Sequence, residues 1–184
     1  MVARPLFGGA ISCEIPAGWV DVSEMRQVPD NQECWIRHGA NDSESMFVVE
    51  ILELQTDVSN SEAASFFFRD LAESNEVSST AGRRFTPLPP QSPPALLVHA
   101  GLPPDAVMCC GTGQQKVVAG NRRDAGDPWV NIEVCVLRLP GVTSDILLTF
   151  TTPNEQGGNL REALSEPFLQ ALNSVRVVDW TLFG

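Results

Sequence analysis

Trp129-Val130-Asn131-Ile132-Glu133-Val134-Cys135-Val136-Leu137-Arg138-Leu139, then Pro140-Gly141, then Asp145-Ile146-Leu147-Leu148-Thr149-Phe150-Thr151-Thr152, is the stretch that decides the fold class. Both runs are rich in β-branched and apolar residues, the composition of a pleated, buried surface. The Pro-Gly pair between them is a turn signal. So short a connection joins antiparallel strands, because parallel ones need a crossover of a dozen residues or more. Working outward, residues 45–54 (Ser-Met-Phe-Val-Val-Glu-Ile-Leu-Glu-Leu) form a third such run, apolar on much of both faces. A sheet covered on both sides produces that pattern.

The remaining strands are weaker in the sequence. Residues 8–15 alternate with period two, and Cys34-Trp35-Ile36-Arg37 begins another strand near Glu33. Residues 95–100 and 106–118 read as strands around the turn Gly101-Leu102-Pro103-Pro104, and residues 174–178 as a last extended piece closed by Trp180 and Phe183. Helices are fewer. Ser59 and Glu62 form a capping-box match, followed by an apolar stripe of Ala63, Phe67 and Leu71 flanked by Ala64 and Phe68. A second helix is capped by Ser165 with Pro167 in its first turn, and residues 159–163 read as a short helical turn. Residues 76–94, with Pro87-Leu-Pro-Pro-Gln-Ser-Pro-Pro94, read as a long loop and the expected mobile or variable segment. The sum is one α+β domain over residues 1–184: about seven strands in a largely antiparallel sheet, with helices packed on it.

The net charge of −11 is unevenly spread. Residues 1–80 carry 14 acids and 4 bases, a balance of −10; residues 81–184 carry 9 and 8, a balance of −1. An acidic chain lacks the basic footprint that phosphate binding needs, which argues against a nucleic-acid partner and for a basic protein partner. No apolar run approaches a membrane span, and residues 1–9 lack the apolar core of a signal peptide, so a soluble intracellular protein is expected. The five cysteines are expected as free thiols, with Cys135 as a small core residue and Cys109 and Cys110 on opposite faces of one strand.

Motifs for bond-making chemistry do not occur: no phosphate-binding Gly-rich loop, no nucleophile elbow, no CxxC, no calcium loop. His99, inside Leu-Leu-Val-His-Ala, reads as a hydrogen-bonded structural histidine; the enzymatic alternative pairs it with Cys109 or Cys110 as nucleophile and lacks a third orienting group. No cofactor is implied.

The densest acidity lies in Val20-Asp21-Val22-Ser23-Glu24-Met25-Arg26-Gln27-Val28-Pro29-Asp30-Asn31-Gln32-Glu33, with four carboxylates and one arginine. Asp21 and Glu24 share a face of any helical turn and also have the spacing of a capping pair. Pro29 biases Val28 to an extended form, and Pro29-Asp30-Asn31 reads as a bend. A rigid negative surface follows.

This stretch, together with Pro5-Leu6-Phe7-Gly8-Gly9-Ala10, Val49-Glu50-Ile51-Leu52-Glu53-Leu54-Gln55, Leu137-Arg138-Leu139-Pro140, Thr143-Ser144-Asp145-Ile146-Leu147-Leu148-Thr149-Phe150 and Leu182-Phe183-Gly184, resembles the Ran guanine nucleotide release factors of the Mog type. The resemblance runs through most of the chain in order, but not through residues 76–94 or 119–128. It implies an α/β/α sandwich of the Mog/PsbP-like kind and a single Ran-binding domain. It implies a non-enzymatic regulator that binds the small GTPase Ran, with a Ran-binding co-factor as a further partner, and releases its nucleotide in nuclear import. A monomer in nucleus and cytoplasm is expected. The Ran-binding residues it implies are Asp21, Glu24, Arg26, Asp30, Asn31 and Glu33. The competing reading is a PsbP-like-fold module for another protein or a small ligand.

Overall fold

The computed structural model describes residues 1–39, 43–75, 77, 80–91, 101–116, 129–154 and 159–184. Its centre is the predicted hairpin. Strands Trp129–Leu139 (β8) and Ser144–Pro153 (β9) pair antiparallel, with Val134 opposite Thr149 and Leu137 opposite Ile146. Pro140–Val142 makes a 3₁₀ turn between them, closed by Thr143 in the left-handed region (φ 49°). Around this hairpin the large sheet adds Val20–Asp21 (β3), Gln32–His38 (β4), Glu44–Glu53 (β5), Arg83–Pro87 (β6) and Val107–Lys116 (β7). The order is β3-β4-β5-β9-β8-β7-β6, all antiparallel.

A second sheet of three strands was not foreseen. Val2–Leu6 (β1), Ile11–Ile15 (β2) and Arg176–Val177 (β10) pair in the order β1-β2-β10. The strand expected over residues 8–15 is shorter because Phe7–Gly9 makes a tight turn, with φ of 50°, 66° and 97° at Phe7, Gly8 and Gly9. Only glycine takes such angles freely, so the Gly-Gly pair stops β1 and starts β2. The large sheet has the seven antiparallel strands expected, and among the described residues the small sheet adds three more.

Both faces of the large sheet are covered, as the apolar residues of β5 require. Helix α1, Asn60–Ser74, packs Ala63, Ala64, Phe67 and Phe68 against Cys109, Ile132, Val134, Val136 and Leu147. Helix α2, Glu166–Ser174, and the small sheet cover the other face, where Phe168, Ala171 and Leu172 meet Phe47, Cys110, Cys135, Leu148 and Phe150. Phe150 stacks on Phe168 at 5.9 Å and meets Trp19 at 5.6 Å, placing an aromatic cluster at the middle of that layer. Cys109 and Cys110 do lie on opposite faces, and all five cysteines are free and buried.

The loop expected over residues 76–94 contains strand β6. Its pairing with β7 depends on two glycines: a Cβ at Gly111 would come 2.2 Å from Phe85, and one at Gly113 would come 2.3 Å from Phe68. The bare backbone lets Phe68 and Phe85 stack at 4.5 Å. Residues 159–163 are not a helical turn. Arg161 is held instead by two side chains of the sheet: its carbonyl accepts the Thr112 hydroxyl, and its guanidinium reaches Glu133 at 2.8 Å. Glu133 also accepts the Ser165 N–H (3.0 Å) and hydroxyl (2.9 Å), and so fixes the start of α2. The strand expected at residues 95–100, with His99, lies outside the described residues, as do residues 121–127.

Candidate protein-binding site

The acidic stretch folds at the β3 edge of the large sheet. Val22–Glu24 forms a 3₁₀ turn in which Asp21 is the N-cap, its carboxylate accepting the Ser23 N–H at 2.8 Å. Val22 turns inward to a small apolar cluster with Cys34 and Ile36, against which Val28 packs. Burying Val22 forces Ser23, Glu24 and Met25 outward. The Met25 and Arg26 N–H groups both donate to the Val22 carbonyl (2.9 and 3.0 Å), which closes the turn. The bend follows where Pro29 predicts it, with the Gln32 N–H donating to the Pro29 carbonyl at 2.9 Å.

The six residues expected at the site separate into two groups. Glu24 and Arg26 are exposed and Asp21 half-buried on and beside the 3₁₀ turn. Asp30, Asn31 and Glu33 instead line a groove of about 640 Å³, with Phe7, Gly8, Ser23, Val28, Pro29, Gln32, Ile51 and Leu182. Glu24, Arg26 and Asp30 stand in no ion pair among the described residues. Asn31 and Glu33 also hold the fold together. The Asn31 amide donates to the Ile51 carbonyl (3.2 Å), while the Ile51 N–H donates to the Asn31 carbonyl (2.9 Å). Glu33 accepts the Phe7 N–H at 2.6 Å, which ties the left-handed turn after β1 to strand β4 and joins the two sheets.

Among the described residues lining the groove there is no lysine, arginine or histidine. Its walls are apolar (Phe7, Val28, Pro29, Ile51, Leu182) and its charges are the carboxylates of Asp30 and Glu33. The motifs containing Phe7 and Leu182 did not mark them as site residues, because both reach the groove through long-range packing. Met25, an unbranched apolar residue between Glu24 and Arg26, is 61% exposed on the same turn.

The cysteine alternative finds no support. Burial pushes the Cys109 thiol up to about 11, more than the Arg138 charge pulls it down. Burial likewise pushes Cys34 up to about 11, against the pull of Arg26. Cys135 is raised by its hydrogen bond with Cys110 and by burial. Reactive thiols need the opposite shift, toward thiolate at neutral pH.

The described residues form an α+β scaffold that carries an anionic surface groove with apolar walls. The chain belongs to the Mog1 family: the family described as Ran-interacting Mog1 protein matches residues 4–153. The Ran guanine nucleotide release factor of Danio rerio is 33% identical over 195 residues, covering 100% of both chains. That of Bos taurus is 34% identical over 189 residues, covering 98% of this chain and 96% of its own. The Mog1 protein of Saccharomyces cerevisiae, described as a nuclear import protein, is 33% identical over 78 residues, 38% of this chain and 36% of its own. Its crystal structure, described as that of a Ran-binding protein, superposes with a TM-score of 0.69 at 24% identity over 99% of this chain and 97% of that one. The fold is therefore that of Mog1.

Proposed function

We propose that this chain binds the GTPase Ran and promotes release of its guanine nucleotide, acting in nuclear import between nucleus and cytoplasm. The docking surface is built from Asp21, Glu24, Arg26, Asp30, Asn31 and Glu33. The supporting observation is that Glu24 and Asp30 are exposed and without an ion pair among the described residues, beside a groove lined with no cation. Exposed unpaired carboxylates gain little for the fold, whereas a basic partner gains from them in encounter rate and orientation.

A GTPase holds its nucleotide through a P-loop lysine, backbone N–H groups and Mg²⁺. A release factor acts by binding the nucleotide-free form more tightly than the loaded one, since a ligand shifts an equilibrium only by its differential affinity. Carboxylates suit that task. They pair with a lysine freed by nucleotide loss. Asp21 contributes mainly by capping the turn, so Glu24 and Asp30 are the direct contacts. The chain acts as a monomer, and a Ran-binding co-factor joins the complex.

The test is release of a fluorescent guanine nucleotide from purified Ran with and without this protein. Acceleration that weakens as salt is raised supports the reading. An unchanged rate, together with no Ran binding at low salt, rejects it.

A further inference from the structure

We propose that Met25 is the apolar anchor of the Ran-docking surface, seated in a depression on a basic face of the GTPase while Glu24 and Asp30 pair with cations around it. The proposal rests on the Ran reading and adds to it a residue whose role is dwell time rather than attraction.

Met25 is 61% exposed, and Val20, on the same stretch, 40%. Scattered exposed apolar residues are normal and by themselves mean nothing. Three features set Met25 apart. It belongs to no apolar cluster of the fold, so packing does not require its side chain. Its backbone is fixed by the N–H bond to the Val22 carbonyl (2.9 Å) and by the Asp21 cap one turn earlier, so the side chain projects from a rigid turn. It is flanked by exposed Glu24 and Arg26, with exposed Asp30 in the bend that follows. An apolar centre inside a charged rim is the anatomy of a docking patch. The unbranched, polarisable thioether adapts to a shallow pocket at small cost in fit.

The occupant is a basic face because the exposed charges of this stretch are net anionic: Glu24 and Asp30 against the single Arg26. Charge and anchor then divide the work. Long-range attraction governs how fast partners meet, while desolvated contacts at the centre govern how slowly they part.

The experiment measures association and dissociation rates of the full chain with nucleotide-free Ran by surface plasmon resonance. For Met25→Ser, dissociation is expected to speed up fivefold or more, with association within twofold of the parent. Met25→Leu should restore dissociation to within threefold, since the contact needs apolar bulk. Circular dichroism melting should be unchanged by either substitution. Glu24→Lys should instead slow association, and the defect should shrink as salt rises. Dissociation of Met25→Ser changed less than fivefold, while Glu24→Lys still impairs association, overturns the anchor and leaves the Ran reading standing. A lowered melting midpoint for Met25→Ser also overturns it, by making Met25 a structural residue. If the parent chain does not bind Ran at all, the reading falls and the anchor with it.

Discussion

At the β3 edge of the large sheet, Glu24, Arg26 and Asp30 stand in solvent without an ion pair among the described residues. In the β8–β9 hairpin, Arg138 and Asp145 sit opposite each other, 5% and 0% exposed. The Arg138 guanidinium donates to Asp145 (3.2 Å), to the Val58 carbonyl (2.6 Å), to the Asn60 side chain (3.0 Å) and to the Gln55 carbonyl. Asp145 further accepts the Gln55 N–H at 3.1 Å. The buried pair fastens residues 55–60 and the start of α1 to the sheet. The same residue types therefore do opposite work. Where every polar atom has an internal partner, charge specifies the fold; where the fold leaves charge without one, it is available to another molecule.

The sharpest way to break this comparison is Arg138→Met. It leaves the Asp145 carboxylate buried beside apolar neighbours, and removing one member of a buried pair costs about 3–5 kcal/mol. Urea denaturation should show that loss. Burial already raises the Asp145 pKa, against the pull of the Gln55 N–H and Arg138. Without Arg138 it rises further. A carboxyl raised in the folded state favours folding when protonated, and this advantage is lost as pH rises through its folded value. The gap between variant and parent should thus narrow as pH falls from neutral toward the ~3.9 reference value of aspartate.

The second test exchanges the partner-facing charges. Glu24→Lys with Asp30→Lys should weaken Ran binding about a hundredfold, or about 2.7 kcal/mol. Stability should move by no more than about 0.5 kcal/mol, the usual range for surface substitutions. A matched pair of calorimetric titrations and melting curves checks both halves. A variant that unfolds would erase the distinction between the two regions.

The smallest effect concerns Glu50, which is intermediate between them. It lies on β5, half-buried, and burial raises its carboxyl pKa more than the Gln32 amide, bonded at 2.8 Å, lowers it. Its charged form is thus mildly unfavourable in the folded chain. Glu50→Gln keeps an oxygen for Gln32 and should stabilise by less than about 0.5 kcal/mol at neutral pH. By the same sign, the parent loses stability as pH rises through the folded value. The advantage of the variant should therefore grow with pH and vanish under acid conditions where Glu50 is protonated in both states. Melting midpoints between pH 4 and 8, a span that brackets the ~4.3 reference value for glutamate, check this.

What was legible in the sequence was what local pattern dictates. The β8–β9 hairpin, helix α1 after Ser59, helix α2 after Ser165 and the Asp21 turn all start where spacing and Pro/Gly placement put them, but the side chains of Ser59 and Ser165 bond Glu62 and Glu133 instead of capping the helix backbone. Strand β1 did not, because Val2 to Pro5 are exposed and Pro5 breaks the strand signal; it is tolerated there because β1 is an edge strand. Strand β6 was hidden because Phe85 is its only large apolar residue and its pairing is written in the glycines of β7. The site divides the same way. The acidic run was readable residue by residue, but Glu33 bonding a backbone N–H 26 positions away has no local signature.

The groove takes one wall from Phe7 and another from Leu182, with Glu33 latching the first of them. Its surface is therefore complete only when distant parts of the polypeptide have closed on each other. A chain missing either end has no such recess, because residues near both ends build its walls.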